Sequence, residues 1–182
     1  YALAAAFVGG AVPPLPPDLA LRLAPEAIDR ARSALGSAGV GRRYVMLCPV
    51  AVGLHRGRVK SWPEFGSLCR ELRRSGEQVV ACPGPGETDA VRQAIDGATL
   101  LPETDVGTFA ALLASSSLVV ANDSGSAHVA AAVGAPLVTV FGVTDARRTG
   151  PWSQRAIGVG SEHGWPGLDE VLAACRRQLA PR

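Results

Sequence analysis

The sequence predicts an α/β domain built on a doubly wound parallel sheet with helices on both faces. Apolar runs of about four to six residues, such as 44–48 and 118–121, are short and continuous, as in strands buried on both sides. They alternate with helical patterns of roughly ten residues, the order typical of a parallel sheet with crossover helices. In such sheets ligands bind beyond the carboxyl ends of the strands, so the loops at that edge are the candidate site.

Start and stop signals place the individual elements. Pro25 in a first turn and Gly36 at the end predict the first helix, Pro63 and Gly76 bracket the second, and Asp105 is expected to cap another. Further helices are predicted over 87–95, 124–133 and 168–179, and strands over 44–48, 78–82, 99–101, 118–121 and 136–141. Residues 50–59 are predicted to be a loop, and residues 142–167 carry no predicted helix or strand.

Composition excludes several classes of protein. The chain has 182 residues, 47% of them apolar and 19% charged, which suits one globular domain and not a disordered, collagen-like or coiled-coil chain. The net charge is only +2 and the basic residues are scattered, so no nucleic-acid partner is predicted. Lys60 is the only lysine and Asn122 the only asparagine, which makes both positions conspicuous.

Cysteine usage and hydropathy indicate where the chain works. The four cysteines lie far apart without CxxC spacing, so neither a metal site nor a disulfide scaffold is predicted, and a reducing cytoplasm is expected. No stretch reaches the roughly 18 to 20 uninterrupted apolar residues of a membrane helix. The chain begins at Tyr1 without the charged start of a signal peptide.

The first candidate site lies at residues 122–128, where a buried strand turns into an alanine-rich helix. Free N–H groups at a helix N-terminus bind phosphate, and Ser124 and Gly125 are the natural contacts. His128 lies on the same helix face and can donate to a phosphate or sugar oxygen. Alternatively, Asp123 or Ser124 only caps the helix and His128 is structural. A Ser-His-Asp hydrolase triad is disfavoured because the G-x-S-x-G turn is absent.

Lys60 ends the loop that follows the first strand and comes just before a helix. A flexible ammonium there can reach a diphosphate as a point charge, although a solvated surface lysine is the ordinary alternative. His55, Arg56 and Arg58 add positive charge to the same loop, in a pattern that is also typical of a solvated surface.

Two other loops at the predicted carboxyl edge carry candidates. Glu87 follows a Pro-Gly turn, and its carboxylate can accept hydrogen bonds from the cis-diol of a ribose. An acidic residue favoured by the helix dipole is the alternative. Gly142 would let a ligand approach the backbone, and Thr144 offers a hydroxyl close by.

Taken in order, these pieces resemble glycosyltransferase family 9, the bacterial lipopolysaccharide heptosyltransferases, which have two facing Rossmann-like domains in the GT-B architecture. The matching blocks are Lys60-Ser61-Trp62-Pro63 with Phe65 and Leu68, then Gly84-Pro85-Gly86-Glu87, then Asp123-Ser124-Gly125 with His128, Ala130, Ala131, Gly134 and Pro136, and finally Phe141-Gly142 with Thr144-Asp145 and Gly150-Pro151-Trp152. Four ordered blocks are far more specific than any one of them. The resemblance thins after Trp152.

The resemblance implies the donor-binding, C-terminal half of an inverting, metal-independent transferase that uses no cofactor. Residues 1–17 would be the tail of an N-terminal domain and a linker, and residues 18–182 the donor domain. The donor would be a nucleotide-diphosphate sugar, with ADP-heptose favoured. The acceptor would be the lipopolysaccharide core, met through the other domain by a cytoplasmic protein that associates peripherally with the inner face of the inner membrane.

The resemblance also implies roles for single residues. Lys60 would contact the diphosphate and stabilise it as it leaves, and Glu87 would contact the ribose. Ser124 and Gly125 would hold phosphate, while Asp123 and His128 would lie beside the sugar or diphosphate.

Two departures from the family pattern matter. Residues 49–54 supply none of the hydroxyl side chains that relatives often have before the lysine, so the phosphate contacts are expected to differ. The family's catalytic base is an aspartate of the N-terminal domain, so this chain alone is expected to bind the donor without transferring it. The alternatives are a non-catalytic nucleotide-binding module and a sugar-nucleotide epimerase of the same architecture.

Overall fold

The structure, a computed structural model, describes residues 16–180. Its elements are α1 (Pro25–Ser37), β1 (Val45–Cys48), β2 (Leu54–His55), β3 (Arg58–Val59), α2 (Phe65–Arg74), β4 (Val79–Ala81), α3 (Thr88–Ala94), β5 (Thr99–Leu100), α4 (Val106–Ser115), β6 (Leu118–Asn122), α5 (Gly125–Ala132), β7 (Leu137–Phe141), α6 (Ala146–Thr149), β8 (Ala156–Gly160) and α7 (Leu168–Leu179).

Six of the strands form one parallel sheet in the order β5-β4-β1-β6-β7-β8. The chain starts in the middle at β1, winds outward through β4 and β5, then returns to β6 and winds the other way. This order confirms the predicted doubly wound α/β fold. The change of direction lies between β1 and β6, which pair from Val45 with Leu118 to Cys48 with Ala121. Loops diverge at such a switch point, and a crevice opens there.

Helices cover both faces of the sheet because successive strand residues point to opposite sides. In β1, Val45 and Leu47 pack into the layer formed with α2, α3 and α7, whereas Met46 and Cys48 pack into the layer formed with α1, α4 and α5. Strands β1, β6 and β7 are buried along their whole length. Each fully buried Leu or Phe of these layers contributes roughly 1.5–3 kcal/mol.

Most predicted elements are confirmed to within a few residues, and the range predicted for α7 agrees at both ends. The predicted cap of α4 is also confirmed, because the Asp105 carboxylate accepts a hydrogen bond from Thr108 N at 3.0 Å. The predicted tail and linker lie outside the described residues, apart from Pro16 and Pro17. From there the chain runs along the domain, and Trp152 Nε1 donates to Pro16 O at 2.8 Å.

The prediction of a plain loop over 50–59 is wrong, because these residues contain the antiparallel hairpin β2–β3. Its turn is Arg56-Gly57, with φ of 50° and 77°, the two positive angles that a two-residue turn of this kind requires. Asparagine and glycine are the usual residues at the first position, so the arginine hid the turn signal.

Residues 142–167 also contain elements that the sequence pattern did not indicate, namely the short helix α6 and the edge strand β8. The strand has the sequence Ala-Ile-Gly-Val-Gly, and glycine is depleted in strands. Gly158 is nevertheless suited to its place, because a side chain there would crowd the Phe141 ring. Packing on β7 thus outweighs local propensity.

Among residues 16–180, no helix is long and apolar enough to cross a membrane. The same residues contain no group of three or more His, Cys, Asp or Glu side chains placed to hold a metal ion.

Candidate functional site

At the carboxyl edge of the sheet, two cavities flank the start of α5, one on each side. The larger has a volume of about 420 Å³ and lies beyond β1 and β4, and the smaller has about 280 Å³ and lies beyond β6 and β7. Ser126 lines the larger cavity, while Ser124 and Gly125 line the smaller one. The first turn of α5 therefore separates two adjoining spaces.

The smaller cavity brings together most of the predicted site residues from three separate segments of the chain. Those that line it are Lys60, Asp123, Ser124, Gly125, His128 and Thr144, together with Leu54, His55 and Thr149. Glu87 lines the larger cavity, and Gly142 is among the lining residues of neither.

Ser124 is the N-cap residue of α5, with extended backbone angles of −151° and 177°. An N-cap serine normally accepts a hydrogen bond from an N–H of the first turn, but this side chain makes no such bond. Its Oγ is buried without a hydrogen-bond partner among the described residues, which costs about 1–3 kcal/mol when nothing compensates. The N–H groups of Gly125 and Ser126 have no intrahelical acceptor either. These donors suit a ligand oxygen.

Lys60 lines the same cavity and is half-buried, immediately after β3. Its Nζ donates to the backbone oxygen of Asp123 at 3.4 Å, a neutral acceptor. Within residues 16–180 no ion pair includes this lysine. Its charge is therefore available to an anion bound at the start of α5.

The Asp123 side chain is buried and held in place by a neighbouring hydroxyl. Its Oδ2 accepts a hydrogen bond from Thr149 Oγ1 at 2.7 Å, which fixes the carboxylate at the wall of the smaller cavity. Thr149 is the last residue of α6, so this short helix brings the hydroxyl to the residue that follows β6. The sequence analysis missed Thr149, which lies in the segment without predicted elements.

Asn122 is a second residue whose function sequence reasoning missed. Its buried amide accepts a hydrogen bond from Trp62 N at 2.8 Å and donates to Pro49 O at 2.7 Å. One side chain thereby joins the end of β6 to the loop after β1 and to the chain entering α2. Its being the only asparagine was the available signal, and the geometry explains it: the amide supplies both a donor and an acceptor.

The larger cavity is mostly apolar, with Glu87 among its polar lining residues. The apolar lining comes from Cys48, Pro49, Val50, Cys82, Pro83, Pro85, Val91, Val106 and Phe109. Burial raises the pKa of the Cys48 thiol to about 12, so this thiol is uncharged at neutral pH. Glu87 Oε2 accepts a hydrogen bond from Gly84 N at 3.1 Å, which fixes the carboxylate. The space suits an uncharged, largely apolar group that carries hydroxyl donors for Glu87.

The sequence suggested that a ligand approaches the backbone at Gly142, but in the structure a tryptophan ring fills that space. The Trp165 ring occupies the position that a side chain at Gly142 would take. The Gly142 carbonyl oxygen accepts a hydrogen bond from Arg58 Nη2 at 3.0 Å. The missing side chain thus makes room for a tryptophan from a distant loop.

Comparison with known proteins identifies the same family as the sequence motifs. The family model for glycosyltransferase family 9 (heptosyltransferase) matches residues 1–173. The lipopolysaccharide heptosyltransferase 3 of Escherichia coli is 35% identical over 143 residues, which cover 73% of this chain and 41% of that protein. The chain spans less than half the length of the curated relatives it matches.

Solved structures show the same fold. A family 9 glycosyltransferase from Veillonella parvula matches with a TM-score of 0.75 at 21% identity, over 88% of this chain and 53% of that one. An E. coli heptosyltransferase solved with ADP matches with a TM-score of 0.66 at 22% identity, over 81% of this chain and 48% of that one. Since the family model covers nearly the whole chain and the motif residues converge on one edge of the matching fold, the chain belongs to glycosyltransferase family 9.

Proposed function

We propose that this chain is the donor-binding half of a glycosyltransferase that moves heptose, or a related sugar, from ADP-heptose to a lipopolysaccharide core acceptor. One observation carries the proposal: the unpartnered Ser124 hydroxyl and the first N–H groups of α5 share a cavity with the ammonium of Lys60. Membership of family 9 favours sugar transfer over the epimerase and non-catalytic alternatives.

The two adjoining cavities suit the parts of a sugar nucleotide. The nucleoside lies in the larger cavity with its ribose at Glu87, and the diphosphate crosses the start of α5. The sugar lies in the smaller cavity beside Asp123 and His128. The E. coli structure solved with ADP supports an adenine nucleotide as the leaving group.

The chain's own contribution to transfer is stabilisation of the leaving group. As the bond between the sugar and the diphosphate breaks, negative charge develops on the phosphate oxygen. In this proposal the Lys60 ammonium and the N-terminus of α5, which line one cavity, face that charge, and fixed donors of this kind lower the barrier without reorganising. Inversion requires an acceptor hydroxyl deprotonated on the opposite face, and we assign that base to a preceding domain.

The proposal also assigns roles to the other parts of the protein. Residues 1–17 connect to an N-terminal domain that binds the acceptor, and residues 18–182 form the donor domain. Because a lipopolysaccharide acceptor is anchored in a membrane, the complete protein works in the cytoplasm at the inner face of the inner membrane.

Calorimetric titration of ADP, UDP and GDP into the chain tests donor binding. We expect selective binding of ADP that weakens about tenfold in Lys60→Ala and in Glu87→Ala, roughly 1.4 kcal/mol each. Arg42→Ala is the control, because Arg42 precedes β1 and so lies at the amino edge of the sheet. Equal affinity for the three nucleotides, or binding that neither substitution changes, would contradict the proposal.

A further inference from the structure

A third cavity, of about 250 Å³, lies beside the smaller cavity, and we call it the hairpin cavity. It is formed by the β2–β3 hairpin, the loop after β7 and the turn after β8. Its lining residues are His55, Arg56, Arg58, Val143, Glu162 and His163. His55 lines the smaller cavity as well, so the two spaces adjoin. Four of these side chains are basic and only one is acidic.

Arg58 connects two walls of this cavity through hydrogen bonds to backbone carbonyls, and among residues 16–180 it forms no ion pair. Its Nη1 donates to Glu162 O at 3.1 Å and its Nη2 to Gly142 O at 3.0 Å. Both acceptors are neutral backbone carbonyls. The Glu162 carboxylate is directed at His163 instead, with Oε1 3.7 Å from Nε2. The guanidinium therefore leaves a net positive charge at the wall of the cavity.

Arg56 occupies a turn position of the hairpin that disfavours an arginine. It is the only non-glycine residue of the described chain with positive φ, and asparagine or glycine would suit the turn better. Its exposed side chain makes no hydrogen bond or ion pair among residues 16–180. A strained residue whose free guanidinium lines a cavity points to a chemical role for that guanidinium.

We propose that the hairpin cavity binds a phosphate group carried by the sugar acceptor and so orients the acceptor beside the donor sugar. The inference rests on the proposed function, because it needs a sugar in the smaller cavity. Guanidinium groups bind phosphate through paired N–H donors, and two of them meet here with two imidazoles. A phosphorylated acceptor would place its anion at Arg56 and Arg58 and its hydroxyl toward His55.

The three histidines of the chain allow a direct test by NMR. His163 lines the hairpin cavity alone, His128 lines the smaller cavity alone, and His55 lines both. The ADP-saturated chain is titrated with inorganic phosphate and, separately, with glucose 6-phosphate as a phosphate monoester. We expect the imidazole resonances of His163 and His55 to shift with both probes while that of His128 stays in place.

Arg56→Asn separates binding from folding. Asparagine suits the left-handed turn, so the variant should unfold at the same temperature or a higher one, while both probes bind about tenfold more weakly. Arg42→Asn removes the same charge at the amino edge and should leave binding unchanged.

Several results would overturn the inference. Equal shifts of all three histidines would indicate a diffuse charge effect, and unchanged binding in Arg56→Asn would remove the assigned contact. Binding of inorganic phosphate without the monoester would leave a site for a free ion only. ADP affinity is measured on the same samples, so loss of ADP binding would count against the proposed function, whereas intact ADP binding without the histidine shifts would overturn only this inference.

Discussion

In the ligand-free protein the buried, unpartnered hydroxyl of Ser124 lowers the stability of the fold, and a ligand that bonds to this hydroxyl removes that penalty. Replacing Ser124 with alanine deletes the unpartnered hydroxyl, so we expect Ser124→Ala to raise the free energy of unfolding by up to about 1 kcal/mol and to weaken ADP binding about tenfold. Thermal unfolding with and without ADP measures both effects. Ser116→Ala is the matched control, because that hydroxyl donates to Leu113 O at 2.8 Å. The control should lose stability without losing affinity.

Asn122 makes the opposite contribution, since its side chain is fully paired. Asn122→Ala leaves the Trp62 N–H and the Pro49 carbonyl without their buried partner, and we expect a loss of about 2–4 kcal/mol. Urea unfolding measures it as a lower midpoint with an unchanged slope. A variant as stable as the parent would show that these loops are held by other contacts.

At the residue scale, local sequence patterns indicated candidate residues that the structure then brings to one cavity. Ser124 and Gly125 were predicted from a strand followed by small residues and a helix, and Lys60 from its rarity. The surroundings of Gly142 depend on Trp165, which reaches it from a loop far along the chain. No local pattern contains such a contact.

We expect the Asp105 cap to make the stability of helix α4 depend on pH in the acid range. The Thr108 hydroxyl and N–H donate to the Asp105 carboxylate and, with Arg30 nearby, lower its pKa from 3.8 to about 2. A depressed pKa means that the folded state binds this proton less readily than the unfolded state. The stability that the ionised cap adds is therefore complete above pH 3.8 and lost as the pH falls toward about 2.

Asp105→Asn tests this dependence, because the amide cannot ionise. We expect the parent chain to lose more stability than the variant between about pH 5 and about pH 2.5, as measured by urea midpoints at each pH. Asp89→Asn is a suitable comparison, since that carboxylate is exposed and pairs only with Arg92 in the described structure. Parallel losses in parent and Asp105→Asn would contradict the assignment.

Elements with strong local signals were predicted well, and those fixed by tertiary contacts were not. The helices have prolines, caps and glycines at their ends, which act within one turn. The β2–β3 hairpin instead depends on Arg58, whose two hydrogen bonds reach Gly142 and Glu162. Strand β8 depends on its full pairing with β7. A short stretch of sequence contains neither the hydrogen-bond partners of Arg58 nor the strand that pairs with β8.

At the scale of the whole molecule, the start of α5 divides the donor site into two separable halves. Adenosine should bind in the larger cavity and pyrophosphate at the start of α5 beside Lys60. Glu87→Ala is then expected to weaken adenosine about tenfold and leave pyrophosphate unchanged, and Lys60→Ala to do the reverse. Isothermal titration of each fragment measures this. A substitution that weakens both fragments equally would argue against two halves.

Most residues that line the larger cavity are not the ones that hold the fold together, and this matters for redesign. The sheet and its two apolar layers hold the fold, whereas the larger cavity is lined chiefly by the turns at 49–50 and 83–87 and by the start of α4. Those turns add few side chains to the buried layers. Loop exchange between members of the family should therefore alter which nucleotide is accepted while the host domain keeps its melting temperature, making this chain a scaffold for grafted nucleotide selectivity.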